Sequence, residues 1–151
     1  MPQLAPGDKA PRFSLPDQDG NAVSSDALHG TPAVVYFYPK DDTPGCTIEA
    51  RQFNDSLEQF QQAGVRLLGV SPDDAGSPSQ FREKCGLRFP LLSDPTHEAM
   101  AAYGAWGERP GRGEGVIRST VLLAPDGTVR QAWYGVKADG HAAEVLRALK
   151  T

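Results

Sequence analysis

The stretch Tyr38–Arg51, YPKDDTPGCTIEAR, places one cysteine, Cys46, two residues after Pro44, where an apolar strand pattern gives way to helical spacing. A thiol there can be a core spectator, half of a structural disulfide or a nucleophile. In the first turn of a helix, unpaired N–H groups and the positive end of the dipole stabilise the thiolate, which is the reactive form. Thr43, three residues earlier, can donate its hydroxyl to the sulfur or to an incoming oxygen, or cap the helix. Lys40 would support a thiolate, whereas Asp41 and Asp42 would oppose one if they pointed at it. Glu49 can reach back toward the helix start, either to orient the site or as a capping carboxylate.

Arg118 is the second chemically unusual residue. In Val116–Leu123, VIRSTVLL, period-2 alternation puts it on one face with Val116 and Leu122. A buried guanidinium there needs an anionic partner, such as a thiolate, while an arginine on an edge strand would simply be solvated.

The elements that must position these residues follow from pattern and punctuation. Short extended pieces at Phe13–Leu15 and Ala22–Val23 flank an Asp19-Gly20 turn signal, and Ser24 to Asp26 can cap a helical turn ending at Gly30. Ala33–Tyr38 reads as a buried strand. Ala50, Phe53, Leu57 and Phe60 recur at helical spacing in a helix from Cys46 to Gln62, closed by Gly64. Val65–Ser71 is a second strand, and Ser77–Lys84 a helix with Ser77 as N-cap and Pro78 in its first position. Phe89–Ser93 (strand), Pro95–Tyr103 (helix), a hairpin of Val116–Leu123 with Thr128–Tyr134, and a helix His141–Lys150 complete the order. The expected architecture is α/β, a mixed sheet with helices on both faces, in a single domain spanning residues 1–151. In such sheets ligands collect at the C-terminal ends of strands, where Cys46 falls.

Composition narrows the function classes. A chain of 151 residues with formal net charge −4 and no Lys/Arg cluster does not suit nucleic acid. The longest apolar or aromatic run, Ala33–Tyr38, is far too short to cross a bilayer, and Met1–Gly7 has no secretory signal pattern, so a soluble cytoplasmic protein is expected. Cys46 and Cys85 are the two cysteines, and in the cytosol redox or nucleophilic chemistry is favoured over a permanent bridge. His29, His97 and His141 are scattered without metal-ligand spacing. Gly107–Gly115 lacks the Gly-Lys-Ser/Thr of a phosphate loop and reads as a mobile loop. Phe81, Phe89 and Trp106 can line a pocket or pack the core. A disulfide oxidoreductase would use Cys-x-x-Cys, whereas Thr43 fills the first of those positions.

With Pro39, Thr43 and Cys46 as P-x-x-x-T-x-x-C after an aromatic strand, and Arg118 downstream, the sequence resembles a peroxiredoxin of the Q-type, or bacterioferritin-comigratory-protein, subgroup. The likeness extends through GDKAPRFSLPDQDG, GVSPD, FPLLSD, Tyr103–Gly107 and IRSTVLLAPDG. It implies a thioredoxin-like fold and thiol-dependent reduction of hydrogen peroxide and organic hydroperoxides, with no metal or organic cofactor. Cys46 would be the peroxidatic cysteine, with Thr43 and Arg118 holding the peroxide oxygens and Pro39 shielding the pocket. Many members of the subgroup carry a resolving cysteine five residues after the peroxidatic one. That position is Arg51 here, and Cys85 matches the subgroup's other location for it. The resemblance thus implies an intramolecular disulfide, recycling by thioredoxin or a similar dithiol, and a monomer or weak dimer. Cys46 would begin one helix and Cys85 lie near the end of another, so the expected reduced fold holds them apart, and closure would require both segments to unravel locally. Two alternatives remain open at this point: a one-cysteine peroxidase reduced directly by an external thiol, with Cys85 as a small core residue, and a redox sensor or holdase.

Overall fold

A computed structural model of the chain describes residues 3–74, 76–109 and 111–149. The strands β1 (Ser14–Pro16) and β2 (Ala22–Ser24) form an antiparallel hairpin, followed by a 3-10 turn, Ser25–Leu28, capped by the Ser24 hydroxyl, which accepts from the Asp26 N–H. Next come β3 (Ala33–Phe37), α1 (Pro44–Asp55), α2 (Leu57–Gln62), β4 (Arg66–Ser71), α3 (Ser77–Cys85), β5 (Leu91–Ser93) and α4 (Glu98–Ala102). The chain closes with β6 (Trp106–Arg109), β7 (Gly113–Val116), β8 (Ser119–Leu123), β9 (Val129–Tyr134) and α5 (His141–Leu149).

Five strands form the central sheet in the order β5-β4-β3-β8-β9. The pairs β3/β4 and β4/β5 are parallel, while β3/β8 and β8/β9 are antiparallel, which gives the expected mixed sheet. Every residue of β3 is buried because the strand lies at the centre, and its alternate side chains feed two cores. Val34, Tyr36 and Tyr38 join Cys46, Ala50, Phe53, Phe60, Phe81 and Val145 from α1, α2, α3 and α5. Ala33, Val35 and Phe37 join Leu28 of the 3-10 turn, Met100 of α4 and Tyr103 on the opposite face. Tyr36 stacks on Phe53 with ring centroids 4.5 Å apart and thereby fixes α1 against the sheet. Burial of each such aromatic contributes about 2 kcal/mol.

Several elements differ from the sequence expectation for identifiable reasons. The helix expected over Cys46 to Gln62 is two helices: the backbone at Ser56 (φ −95°, ψ 0°) leaves helical geometry, and its N–H is shared between the Gln52 and Phe53 carbonyls. It also starts earlier, at Pro44, where a proline's missing N–H is harmless. Gly76 with φ 101°, not Ser77, is the N-cap of α3. The helix expected from Pro95 is confined to α4, and the strand expected from Phe89 starts at Leu91. The glycine-rich segment read as a loop forms the antiparallel pair β6/β7, registered from Trp106 opposite Val116 to Arg109 opposite Gly113. Among the described residues no helix is long and apolar enough to cross a membrane.

Candidate active site

Tyr38 prolongs β3, donating its N–H to the Val70 carbonyl, and residues 39–43 then turn the chain into α1. Pro44 opens the helix, so Cys46 is its third residue and belongs to the turn whose N–H groups lack carbonyl partners within the helix. Its side chain points inward and is 1% exposed. Glu49, one turn later on the same face, is fully buried.

Arg118 reaches both. Its Nη2 donates to the Cys46 Sγ at 3.4 Å and its Nη1 to the Glu49 Oε1 at 2.6 Å. The continuous strand expected over Val116–Leu123 is interrupted at this point: β7 ends at Val116 and β8 begins at Ser119. In the gap the Ile117 N–H bonds to the Ala105 carbonyl, and the Arg118 carbonyl accepts from Val136, so the arginine is held from both sides. Gly45 completes the approach, since a Cβ there would stand 3.3 Å from the Arg118 Nη2.

The electrostatics follow from burial. Desolvation raises the Glu49 pKa to about 7 against the opposing pull of Arg118. A 2.6 Å ion pair alone would hold this carboxyl ionised, but Arg118 is shared with Cys46 and Oε2 of Glu49 has no hydrogen-bond partner among the described residues. Burial would lower the Arg118 pKa, but Glu49 and then Cys46 outweigh it, so its pKa lies above the ordinary value.

Thr43 occupies the N-cap position of α1, but its hydroxyl neither caps the helix nor donates to the sulfur. It donates to the Lys40 carbonyl at 2.9 Å, which leaves the oxygen's lone pairs as acceptors. Pro39 is half-buried in the same loop. Neither flanking aspartate is free to oppose a thiolate. Asp41 turns inward to accept from the Tyr38 and Ser77 hydroxyls, and Asp42 turns outward to Lys84. Cys85, the last residue of α3, is half-buried against the core that contains Cys46, and both thiols are free. The structure therefore gathers Cys46, Glu49 and Arg118 into one cluster, with Thr43 and Pro39 in the loop before it and Cys85 on a separate helix.

Phe81 and Phe89 are core residues, whereas Trp106 packs on the opposite face of the sheet and stacks on His97 at 3.7 Å. His141 is 2% exposed, and burial lowers its pKa. Since a carboxylate only accepts, Nδ1 donates to Glu144 and Nε2 accepts from Thr120. Among the described residues no group of three or more His, Cys, Asp or Glu is placed to hold a metal ion.

The chain and its fold are similar to known proteins. The model of the AhpC/TSA family matches residues 6–132. A putative peroxiredoxin of Mycobacterium tuberculosis is 49% identical over 150 residues, covering 97% of this chain and 96% of that protein. Peroxiredoxin Bcp of Escherichia coli K12 is 41% identical over 153 residues, covering 99% and 98%. A solved structure of the Xanthomonas campestris bacterioferritin comigratory protein, from work on its alkyl peroxide reduction activity, superposes with a TM-score of 0.87 at 43% identity, covering 91% of this chain and 90% of that one. With its thioredoxin-like sheet, and its Cys46–Arg118 pair at the head of α1, the chain belongs to the AhpC/TSA family and is a peroxidase of the peroxiredoxin Q/Bcp type.

Proposed function

We propose that this protein reduces hydrogen peroxide and alkyl hydroperoxides in an atypical two-cysteine cycle. The contact that carries the reading is the Arg118 guanidinium on the Cys46 sulfur within a buried site. In the first step the Cys46 thiolate attacks the nearer peroxide oxygen in line with the O–O bond. A sulfur–oxygen bond forms, the O–O bond breaks, and water or an alcohol leaves once the departing oxygen is protonated. Sulfur is oxidised to the sulfenic acid. Arg118 stabilises the negative charge moving onto the departing oxygen. Thr43, with its own proton committed to the Lys40 carbonyl, accepts a hydrogen bond from the hydroperoxyl O–H, and Pro39 screens the loop side from water. In the second step the Cys85 thiol displaces water from the sulfenic acid to form a disulfide. A thioredoxin-like dithiol then reduces this disulfide by exchange. The electrons thus come from sulfur throughout, and the cycle requires neither a metal nor an organic cofactor. On the same reading the chain is one domain acting as a monomer in the cytoplasm.

The test is intact-mass and non-reducing peptide mapping after one equivalent of hydrogen peroxide, on wild type, Cys85→Ser and Arg118→Met. The expected result is a Cys46–Cys85 linkage in wild type, sulfenic acid trapped at Cys46 in Cys85→Ser, and oxidation of Arg118→Met slowed by about 10²-fold or more. Sulfenic or sulfinic acid at Cys46 with Cys85 still a free thiol in wild type would replace the two-cysteine cycle with direct reduction by an external thiol. Undiminished oxidation of Arg118→Met would remove the carrying contact from the mechanism.

A further inference from the structure

Between β3 and α1 the loop that carries Pro39 and Thr43 is fastened to its neighbours at two successive residues. The Asp41 side chain is 6% exposed and accepts two hydroxyls, Tyr38 Oη on Oδ1 at 2.5 Å and Ser77 Oγ on Oδ2 at 2.8 Å. The Asp41 N–H donates to Asp73 Oδ2 at 2.7 Å, in the connection between β4 and α3. Asp42, held at φ 60°, a left-handed conformation unusual for a residue with a side chain, receives Lys84 Nζ on both oxygens at 2.9 and 3.0 Å. Ser77 is the first residue of α3 and Lys84 the last but one, directly before Cys85. The peroxidatic loop therefore grips both ends of the helix that carries the second cysteine.

We propose that Asp41 is a positioning residue that acts as a latch: closed, it holds the Pro39–Thr43 loop in the shape that receives peroxide, and opened, it frees α3 so that Cys85 can meet the Cys46 sulfenic acid. The opening half of this statement rests on Cys85 being the resolving cysteine. The latch is built to open. Its carboxylate is desolvated and faces Asp73, and burial raises its pKa to about 6, the Tyr38 and Ser77 hydrogen bonds opposing. The other ionisable groups around it are Tyr36 of β3 and Tyr38 directly after that strand, while Lys84 of α3 is engaged by Asp42. No cation is paired with Asp41 itself among the described residues, so an anion is retained by hydroxyl and amide partners that a small displacement separates.

The range of movement is limited at the far end of α1. Gln52 accepts from the Gly140 N–H at 2.8 Å and donates to Asp139 at 2.6 Å, and Asn54 accepts from the Arg88 N–H at 2.9 Å and donates to the Gly86 carbonyl at 3.2 Å. Residues 41–51 can thus change shape while Phe53 stays in the core.

The experiment follows the two steps separately in full-length reduced protein. After mixing with hydrogen peroxide, timed samples are quenched with a sulfenic-acid trap and a thiol alkylator, and Cys46 sulfenic acid and the Cys46–Cys85 disulfide are quantified by mass spectrometry. Ser77→Ala removes the latch's tie to the first turn of α3, leaves the Asp42–Lys84 pair and the Tyr38 bond, and suits a helix start, so its disulfide-forming step should accelerate about tenfold with little change in the first step. Asp41→Asn, which cannot accept both hydroxyls on carboxylate oxygens, should slow the first step and accelerate the second. A merely structural defect would slow both. Unchanged or slower disulfide formation in Ser77→Ala, with normal formation in wild type, overturns the latch. Absence of the bridge in wild type removes the resolving role of Cys85 and the opening half with it, leaving the positioning half to stand or fall on the first step in Asp41→Asn.

Discussion

Glu49 couples the stability of the protein to protonation. Its carboxyl is fully buried, pairs with Arg118 through one oxygen, leaves the other without a hydrogen bond, and has its pKa raised from 4.5 to about 7 by burial. Because the folded value lies above the unfolded one, the folded state holds the proton more tightly between these limits. Its stabilising contribution is complete below about pH 4.5 and is lost as pH rises through 7. At 1.36 kcal/mol per unit, the full window corresponds to about 3 kcal/mol. Glu49→Gln keeps an oxygen for Arg118 and has nothing to titrate. The prediction concerns the difference between the two proteins: wild type should lose about 3 kcal/mol relative to Glu49→Gln between pH 4.5 and 8.

Urea unfolding of the reduced proteins at half-unit pH steps measures this, and the difference is the quantity to read because other groups titrate in the same range. Asp41, also raised, adds to the loss with rising pH. His141 acts in the opposite sense: its lowered pKa means that the unfolded chain takes up the proton first, so stability falls as pH drops below 6.5. Both are present in wild type and variant alike and cancel. Parallel stability curves would show that Glu49 is ionised throughout, with Arg118 compensating its burial in full, and would refute the reasoning.

Two further outcomes are expected. If Thr43 acts as an acceptor with its proton on the Lys40 carbonyl, Thr43→Ser should keep most of the Cys46 oxidation rate and Thr43→Val should lower it by at least tenfold in stopped-flow measurements, with the melting temperature little changed. Gly69→Ala should destabilise the fold by about 1–3 kcal/mol in urea titration, because its Cβ would stand 2.9 Å from Leu91 Cδ2 and 3.0 Å from Tyr36 Cζ, both fully buried.

Local patterns in the sequence located β3, β4, β9 and α5 because each is set by runs or periodicities that no distant residue contradicts. The functional candidates were legible for a related reason: a cysteine after Pro44 at a strand-to-helix junction and an arginine in an apolar stretch are departures from those patterns. Less legible were features that depend on partners far along the chain. The break at Arg118 is made by Ala105 and Val136, and the pairing of β6 with β7 satisfies backbone groups in a segment whose glycines suggest a loop. The hydroxyl of Thr43 gave no sign that it would choose Lys40, nor did Ser77 of its bond to Asp41 across 36 positions. Glu49 carried a partial signal, three residues after Cys46 on one helical face, but its anchoring role becomes visible only with Arg118 in place.

The two halves of α1 are held by different kinds of contact, and the chemistry proposed for Cys46 acts on only one of them. Beyond residue 51 the helix is fixed by the Phe53 stack on Tyr36 and by the amide side chains of Gln52 and Asn54, none of which changes when sulfur is oxidised. Before it, the inward-facing polar contacts of Cys46 and Glu49 both end on Arg118, while Ile48 on the outer side is 44% exposed and adds little packing. A thiolate attracts the guanidinium as a full charge, whereas a neutral sulfenic acid offers only a dipole. On that chemistry oxidation weakens one of the two polar ties of the first turns and leaves Glu49, whose pKa burial raises to about 7, as the other, beside the apolar packing of Cys46 and Ala50. On the two-cysteine reading proposed above, this loosening acts on the Cys46 side of the gap while release of α3 by the Asp41 latch acts on the Cys85 side.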